Sequence, residues 1–438
     1  MPFEEPSFTT SGLKPRLRIA VIGAGISGMG AAHRLGDRHD VTLFEAGRRL
    51  GGHARTVIAG KNGDQPVDTG FIVFNYANYP HLAALFDELD VPVVKSNMSF
   101  GASIDGGRFE YALTSIDAVF AQRRNALNPG FLRMIRDIFK FNRSAVSLCR
   151  DRSLTIAEFL EELGTGRYFR DYYLSPLSGA IWSTPTEKIM DFPAHAMISF
   201  FENHALLGYS GQHQWYTVKD GSQSYVSRLE AAMRNKGVTI RLNAGVAAVR
   251  RTPIGVELRT PGGDWETFDE VIFATHSDDT LAMLSDADPV EARTLGAIRY
   301  QPNDVVLHAD TSIMPMRRKT WASWVYTEDR NARSDRIDLT YWMNSLQPIP
   351  MDDLHFVTLN SKRTIREELI YDQVTLRHPV YDLEALAAQR ELAAHNGTRH
   401  TWFCGAWMRN GFHEDGLASA MTVVDAIEGA AALPIAAE

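Results

Sequence analysis

The chain has 438 residues, too many for one simple core and suited to two domains. Its 45% apolar and 22% charged content is ordinary for a globular protein, and a net charge of −8 argues against general nucleic-acid binding. Two distant cysteines, Cys149 and Cys404, make neither a disulfide framework nor a metal spacing, and no run reaches the roughly eighteen apolar residues of a membrane span.

Residues 1–16 are polar, carry Pro2, Pro6 and Pro15, and lack an apolar h-region; they read as a loose tail, not a signal peptide. Leu17 to Ile22 then reads as a buried strand. Gly23-Ala24-Gly25-Ile26-Ser27-Gly28 follows, with helical spacing from Met29 to Leu35. A second apolar run, Val41 to Phe44, ends in Glu45, followed by Ala46. Strand, G-x-G-x-x-G, helix, strand and acid together predict a dinucleotide site. Gly23 permits the tight turn, Gly25 admits a pyrophosphate to the backbone, and Gly28 lets helix and strand pack closely. The helix N-terminus at Ile26 and Ser27 offers free N–H groups to the phosphates. Glu45, seventeen residues past Gly28, is placed for ribose hydroxyls and would repel a 2′-phosphate, which disfavours NADP.

Arg48-Arg49-Leu50-Gly51-Gly52-His53-Ala54-Arg55-Thr56 comes next. Paired glycines flanked by Arg48 and Arg55 suit a second contact on the same pyrophosphate. The two motifs together resemble the start of the flavin-containing amine oxidase superfamily, which includes amine oxidases, phytoene desaturases and protoporphyrinogen oxidases. That resemblance implies FAD. It also implies an α/β fold: a Rossmann-like FAD-binding domain of the GR2, amine-oxidase type, interleaved with an α+β substrate domain. The expected division is 17–90, 219–295 and 395–438 for FAD, and 91–218 with 296–394 for substrate.

In the superfamily, the D-x-G stretch matching Asp68-Thr69-Gly70-Phe71-Ile72 runs beside the flavin. Here it would bring Phe71, Phe74 and Asn75 near the ring. Residues 80–90 read as a helix and Val91 to Val94 as a strand. Across 123–146, Phe131, Ile135, Ile138, Phe139 and Val146 share one side of a helical wheel. Arg133, Arg136, Lys140 and Arg143 take the opposite side, and Asp137 is the only acid between Arg123 and Arg143. Such a helix can lie on an anionic membrane surface, or pack against a core with a wet basic face. From Tyr168 to Tyr216 there are eleven aromatic residues in forty-nine, Tyr209 among them, about twice the chain's 10% average. That excess suggests a large apolar cavity.

A helix is expected from Tyr225 to Lys236, with strands at Val238 to Leu242 and Ala244 to Val249. The resemblance puts Val246 against the adenine. A buried strand from Phe268 ends at Ala274-Thr275, also expected at the cofactor. The chain leaves again through 296–394 and returns at Thr401 to Ala406, with Gly405 and Ala406 beside the flavin. The turn Gly411-Phe412-His413-Glu414-Asp415-Gly416 precedes a helix from Leu417. Superfamily members bind the ribityl chain and the pyrimidine edge with this segment, which implicates Glu414, Asp415, Gly416 and Leu417. A helix N-terminus there would stabilise negative charge at N1–C2=O of reduced flavin.

Four phrases narrow the resemblance: Ala180-Ile181-Trp182-Ser183, Thr340-Tyr341-Trp342-Met343-Asn344-Ser345-Leu346-Gln347, His378-Pro379-Val380-Tyr381-Asp382 and the Gly411 turn. They resemble a bacterial branch of NAD/FAD-binding flavoproteins associated with cyclopropane-fatty-acid-synthase-like methyltransferases. One member looks like a methyl fatty acid desaturase of furan fatty acid synthesis. The resemblance implies hydride transfer from a methyl-branched, unsaturated acyl chain of phospholipid to flavin N5. His413 and Glu414 are candidate proton acceptors, and Tyr341 and Asn344 candidate cavity residues; His378 is a weaker one. No second glycine motif marks a separate NAD(P)H domain, so electrons would pass to oxygen, a quinone or another protein. An amine, porphyrinogen or carotenoid oxidase is the competing enzyme reading. A flavin-bearing partner that delivers lipid to a methyltransferase is the non-catalytic one. A lipid substrate implies cytoplasmic protein held peripherally at the inner membrane face, with no nucleic-acid partner.

Overall fold

The computed structural model describes residues 15–151, 153–182, 186–208, 211–329 and 336–429; positions 1–14 of the expected 1–16 tail, Ser183 and Tyr209 lie outside them. Strand Arg18–Ile22 is buried over its last four residues and sits at the centre of a five-stranded sheet. The strand order is 401–403, 270–273, 18–22, 40–44, 239–241, and every pairing is parallel. Buried on both faces, these strands read as apolar runs. Helices Ile26–Leu35 and His413–Glu428 pack on one face through Met29, Ala32, Leu417 and Ala420. A parallel sheet binds ligands beyond the carboxyl ends of its strands, and residues 23–28, 45–53 and 274–276 emerge there.

The second large sheet has seven strands, in the order 370–380, 299–308, 356–359, 338–342, 324–328, 100–104, 109–112. All pairs are antiparallel except Trp324–Glu328 with Phe100–Ile104, the seam where two distant stretches of chain meet. Its long strands Arg299–His308 and Ile370–Val380 carry Tyr300, Arg377 and His378 toward the first sheet's crevice.

Three expected elements come out differently, the first being the last helix, which begins at His413 rather than Leu417. Regular strand begins at Ala248 rather than Ala244. The amides of Asn243 and Ala244 are spent on the carbonyls of Gly47 and Glu45, so 244–247 runs past Ala46 as a loop. The basic stretch is a 3₁₀ turn, Arg123–Leu127, then a helix, Pro129–Leu148. Asn128 starts that helix: its side-chain oxygen accepts from the Gly130 and Phe131 amides, and Pro129 occupies the first turn. The buried stripe is Phe131, Met134, Asp137, Phe141 and Ala145, not the stripe that hydropathy selects. Asp137 is drawn inside because it accepts the Gly166 amide at 2.7 Å and pairs with Arg133 and Arg136. Lys140 donates to the Leu163 carbonyl. Phe139 and Val146 are consequently turned outward.

Candidate functional site

The glycine loop has two kinds of glycine. Gly23 has φ +99°, and a Cβ there would lie 2.8 Å from the Ala274 carbonyl oxygen; a Cβ on Gly28 would lie 1.8 Å from the Gly23 oxygen. Both enforce close packing. Gly25 differs: a Cβ there would meet nothing within 4 Å, and Gly25 lines the large cavity. It is also the N-cap of helix Ile26–Leu35 and no side chain caps that end. Glu45 is fixed beside it, its two carboxylate oxygens accepting from Ala24 N at 2.8 Å and Gly47 N at 2.7 Å.

The second glycine pair closes on the first loop: Gly51 N donates to Ala24 O, and a Cβ on Gly52 would lie 3.1 Å from the Gly25 Cα. The flanking arginines do not do what the sequence reading assigns them. Arg49 folds the loop through the carbonyls of Leu50, Gly52 and Ala54. Arg55 forks onto Asp372 at 2.6 and 3.1 Å and also donates to Thr69. Arg48 is exposed, and none of Arg48, Arg55 and Thr69 lines the cavity.

The cavity has a volume of about 2090 Å³. Gly23, Gly25, Ile26, Ser27, Glu45, Ala46, Gly52 and Val246 line its glycine-loop side. His53, Gly70, Phe71, Ile72, Ala274, Thr275, Gly405, Ala406 and His413 line it further in. Met134, Ile135, Ile138, Trp324 and Tyr341 line the side under helix Pro129–Leu148. From the aromatic-rich stretch, Tyr173, Trp182, Phe200 and Trp215 reach the wall and the other described ones pack elsewhere. Phe200 stacks on His204, at 3.9 Å, and on Phe412, at 4.9 Å, the three rings forming a triangle closed by 6.0 Å between His204 and Phe412.

Of the proposed catalytic set, His413 and Tyr341 face this cavity. His413 stacks on Phe71 with ring centroids 4.0 Å apart and shares a 2.6 Å hydrogen bond with the Tyr225 hydroxyl. Glu414 points the other way: it accepts the His81 and Leu82 amides at 3.0 and 2.9 Å and so caps helix Pro80–Glu88. Asn344 ties its own turn, donating to the Pro350 and Asp353 carbonyls and accepting from His355 N. Asp415 accepts the Phe412 amide, and Gly416 packs where a Cβ would be 2.8 Å from Ser27 Oγ. Asp415, Gly416 and Leu417 thus brace the second helix N-terminus without lining the cavity. Phe74 and Asn75 are buried away from it, Phe74 edge-on to Phe86 and Asn75 accepting the Asn78 amide. Cys404 lies in the core, where burial pushes its thiol up to about 12.

The family model described as flavin containing amine oxidoreductase matches residues 26–322. The chain belongs to that family. Polyamine oxidase 1 of Oryza sativa subsp. japonica is 56% identical over 43 residues, 9% of this chain and 8% of that protein. Coproporphyrinogen III oxidase of Mycobacterium leprae is 45% identical over 73 residues, 16% of this chain and 15% of that protein. The chain therefore matches less than a fifth of the length of these curated relatives. Over almost its whole length it shares a fold with a CLA-producing fatty acid isomerase from P. acnes. That likeness has a TM-score of 0.67 at 16% identity and covers 95% of this chain and 99% of the other.

FAD is the cofactor of this family member, and the site fits it. The open space at Gly25, the uncapped helix end beside it and the fixed Glu45 carboxylate form a cradle for pyrophosphate and ribose. His53 Nε2 is buried with no hydrogen-bond partner among the described residues, although His53 lines the cavity. A polar group of the cofactor would satisfy it.

Sequence reasoning did not single out His276, Tyr300, Arg377 or Trp324, which all line the cavity. His276 directly follows Ala274-Thr275 and Arg377 directly precedes His378, so adjacency to those segments was the available signal. His53 sits 5.9 Å from His276 and 5.4 Å from His378, ring to ring, and His276 stacks on Tyr300 at 4.3 Å. Arg377 pairs with both Asp278 and Asp279 next to His276. Asn303 donates to His378 Nδ1 at 2.9 Å, which leaves the proton on Nε2.

Burial, with mutual repulsion from His53, brings His276, His378 and His413 down to about 3 each. They are neutral in the folded state at pH 7. Unfolded histidines titrate near 6.5, so between pH 6.5 and about 3 the unfolded chain binds more protons and stability falls with falling pH. Each such group costs on the order of 1.4 kcal/mol per pH unit below 6.5. Asp68 and Asp338, which burial raises to about 6, oppose this only below that pH. The melting temperature is expected to drop between pH 7.5 and 5.5 at fixed ionic strength, and His378→Asn to flatten the drop. A pH-independent melt over that interval would contradict the neutral buried cluster.

Proposed function

We propose that the protein is an FAD-dependent oxidoreductase that desaturates a methyl-branched, unsaturated acyl chain of a phospholipid. The observation that carries the reading is the cavity's apolar lining, which joins Phe71 beside His413 to Met134, Ile135 and Ile138 of helix Pro129–Leu148. At about 2090 Å³ the whole cavity exceeds the ~300–1,000 Å³ of a single small-ligand site, which leaves room for a chain beside the cofactor. Its ionised lining residues are Glu45, Asp279 and Arg377. Glu45 is held by two amides, and Asp279 is paired with Arg377. An alkylammonium substrate would find no carboxylate of its own among the described lining residues. The four phrases that resemble the methyl fatty acid desaturase branch supply the methyl branch and the double bond.

FAD, when bound, would supply two-electron chemistry suited to the weak allylic C–H of such a chain. The protein's part is placement and dryness. Trp324, Tyr341, Ile135 and Ile138 would wall the chain in together with the stacked Phe200 and Phe412. His413, held by Tyr225 and facing the cavity, is the candidate acceptor for the accompanying proton, a weak base because burial disfavours its charged form.

Anaerobic mixing with phospholipid bearing a methyl-branched monounsaturated chain tests this. The yellow flavin should bleach, and the recovered lipid should have lost two hydrogens. A lipid of unchanged mass with a shifted double bond and a flavin left yellow would mark an isomerase instead. Bleaching by an amine or a porphyrinogen, with lipid inert, would overturn the acyl reading. Lipid bound without bleaching or double-bond migration would leave a delivery protein.

A further inference from the structure

The cavity's far side opens on a face with an unusual surface. Leu113, Ile116, Leu132 and Phe139 all line the cavity and are all exposed, Ile116 by 83% and Phe139 by 50%. Leu127, exposed by 88%, continues the patch beyond the rim. On helix Pro129–Leu148 the outward residues Leu132, Arg136, Phe139, Arg143 and Val146 are spaced four, three, four and three. That spacing puts apolar and cationic side chains on the same stripe, within a wedge of about 80°. Spacing itself rules out opposite sides, since at about 100° per residue Phe139 and Val146 lie within about 80° of Arg136 and Arg143; Asp137, buried and bonded to Gly166, decides only which stripe faces inward.

Charge follows the same pattern. From Arg108 to Arg150 there are eight Arg and Lys against three Asp and Glu, in a chain of net charge −8. Glu110 and Asp137 are buried and paired, and exposed Asp117 is taken by Arg123 and Lys319. The face is therefore outwardly basic and apolar at once, a combination that a free monomer surface rarely carries.

We propose that this face docks on an anionic phospholipid bilayer and that an acyl chain enters the cavity between Ile116, Leu132 and Phe139. The inference rests on the lipid reading of the cavity. An acyl chain exposed to water is strongly disfavoured, so transfer from bilayer to protein needs an unbroken apolar path, and the exposed rim supplies it. Among the described residues no helix is long and apolar enough to cross a membrane, so the contact is a surface one. Arg136 and Arg143 sit where phosphodiester headgroups would lie if Leu132, Phe139 and Val146 enter the acyl boundary.

The test is the holoenzyme with Leu127→Glu, Arg143→Glu and Val146→Glu combined; none of the three lines the cavity. Wild type should sediment with vesicles of phosphatidylglycerol and phosphatidylcholine, less so at high salt or with phosphatidylcholine alone. The triple variant should bind about tenfold or more weakly and turn over vesicle lipid correspondingly slowly. Its flavin content, melting temperature and turnover of detergent-dispersed lipid should match wild type. Equal vesicle binding by the two proteins, or none by wild type, overturns docking. So does a wild-type dimer in solution that the variant loses, since the face would then belong to a second copy. Vesicle binding is read without turnover: wild type that binds vesicles yet oxidises no dispersed lipid defeats the catalytic reading and leaves docking standing.

Discussion

Gly25→Val is expected to give a folded, colourless protein. The backbone there, φ −73° and ψ −176°, is open to any residue, and a Cβ meets no protein atom within 4 Å. The fold thus has no objection to the side chain. The cofactor does: Gly25 lines the cavity at the uncapped helix end, and branched carbons there fill the space through which a pyrophosphate reaches the amides. Losing two charge-assisted hydrogen bonds at roughly 1.5–3 kcal/mol each corresponds to about 10²–10⁴ in FAD affinity. Gly28→Val is the contrast. Its Cβ would fall 1.8 Å from the Gly23 oxygen, so this variant should fail to fold. Flavin absorbance and the thermal melt, measured on both, separate cofactor loss from fold loss. A Gly25→Val protein with wild-type flavin content would remove the pyrophosphate from this loop.

What the sequence made legible was what is local. Strand, glycine turn, helix and acid lie within about thirty residues, and each glycine's role follows from its neighbours in the chain. Two reassigned residues, Glu414 and Arg55, have distant partners. Glu414 looked like a base because it adjoins His413, but its carboxylate is spent on the amides of His81 and Leu82, more than 330 positions away. Arg55 looked like a phosphate ligand beside its glycines, but Asp372 on the other large sheet holds it. The His53, His276 and His378 cluster comes from three segments that only the fold brings together. On helix Pro129–Leu148 the period was legible and the phase was not, because one acid with a long-range amide partner belongs inside. In the Thr340 to Gln347 phrase, Tyr341 lines the cavity, Asn344 ties its own turn and Gln347 reaches Asp68, three roles that only the fold tells apart.

Asp68→Ala is expected to cost more stability than any other single truncation considered. The carboxylate is fully buried. One oxygen accepts from Thr56 Oγ1 at 2.6 Å, Ser222 N at 2.8 Å and Ser222 Oγ at 2.7 Å. The other accepts from Gln347 Nε2 at 3.0 Å, and Gln347 Oε1 in turn accepts the Asp68 amide at 2.9 Å. One side chain thereby ties the strand Gln65–Asp68, the start of helix Gln223–Asn235 and the turn after Met343–Leu346. Alanine leaves the Ser222 amide and the Gln347 amide buried without an acceptor, at about 1–3 kcal/mol each, for a total on the order of 3–5 kcal/mol. Asp68→Asn should lose less, because it keeps one acceptor and removes a charge whose burial already raises the carboxyl to about 6. Urea unfolding of the two variants and of Gln347→Leu measures this. Because Asp68 and Gln347 share two hydrogen bonds, the double variant should be less destabilised than the sum of the singles by roughly 1–2 kcal/mol. Strict additivity would mean that the two side chains act separately and that the joint is held elsewhere.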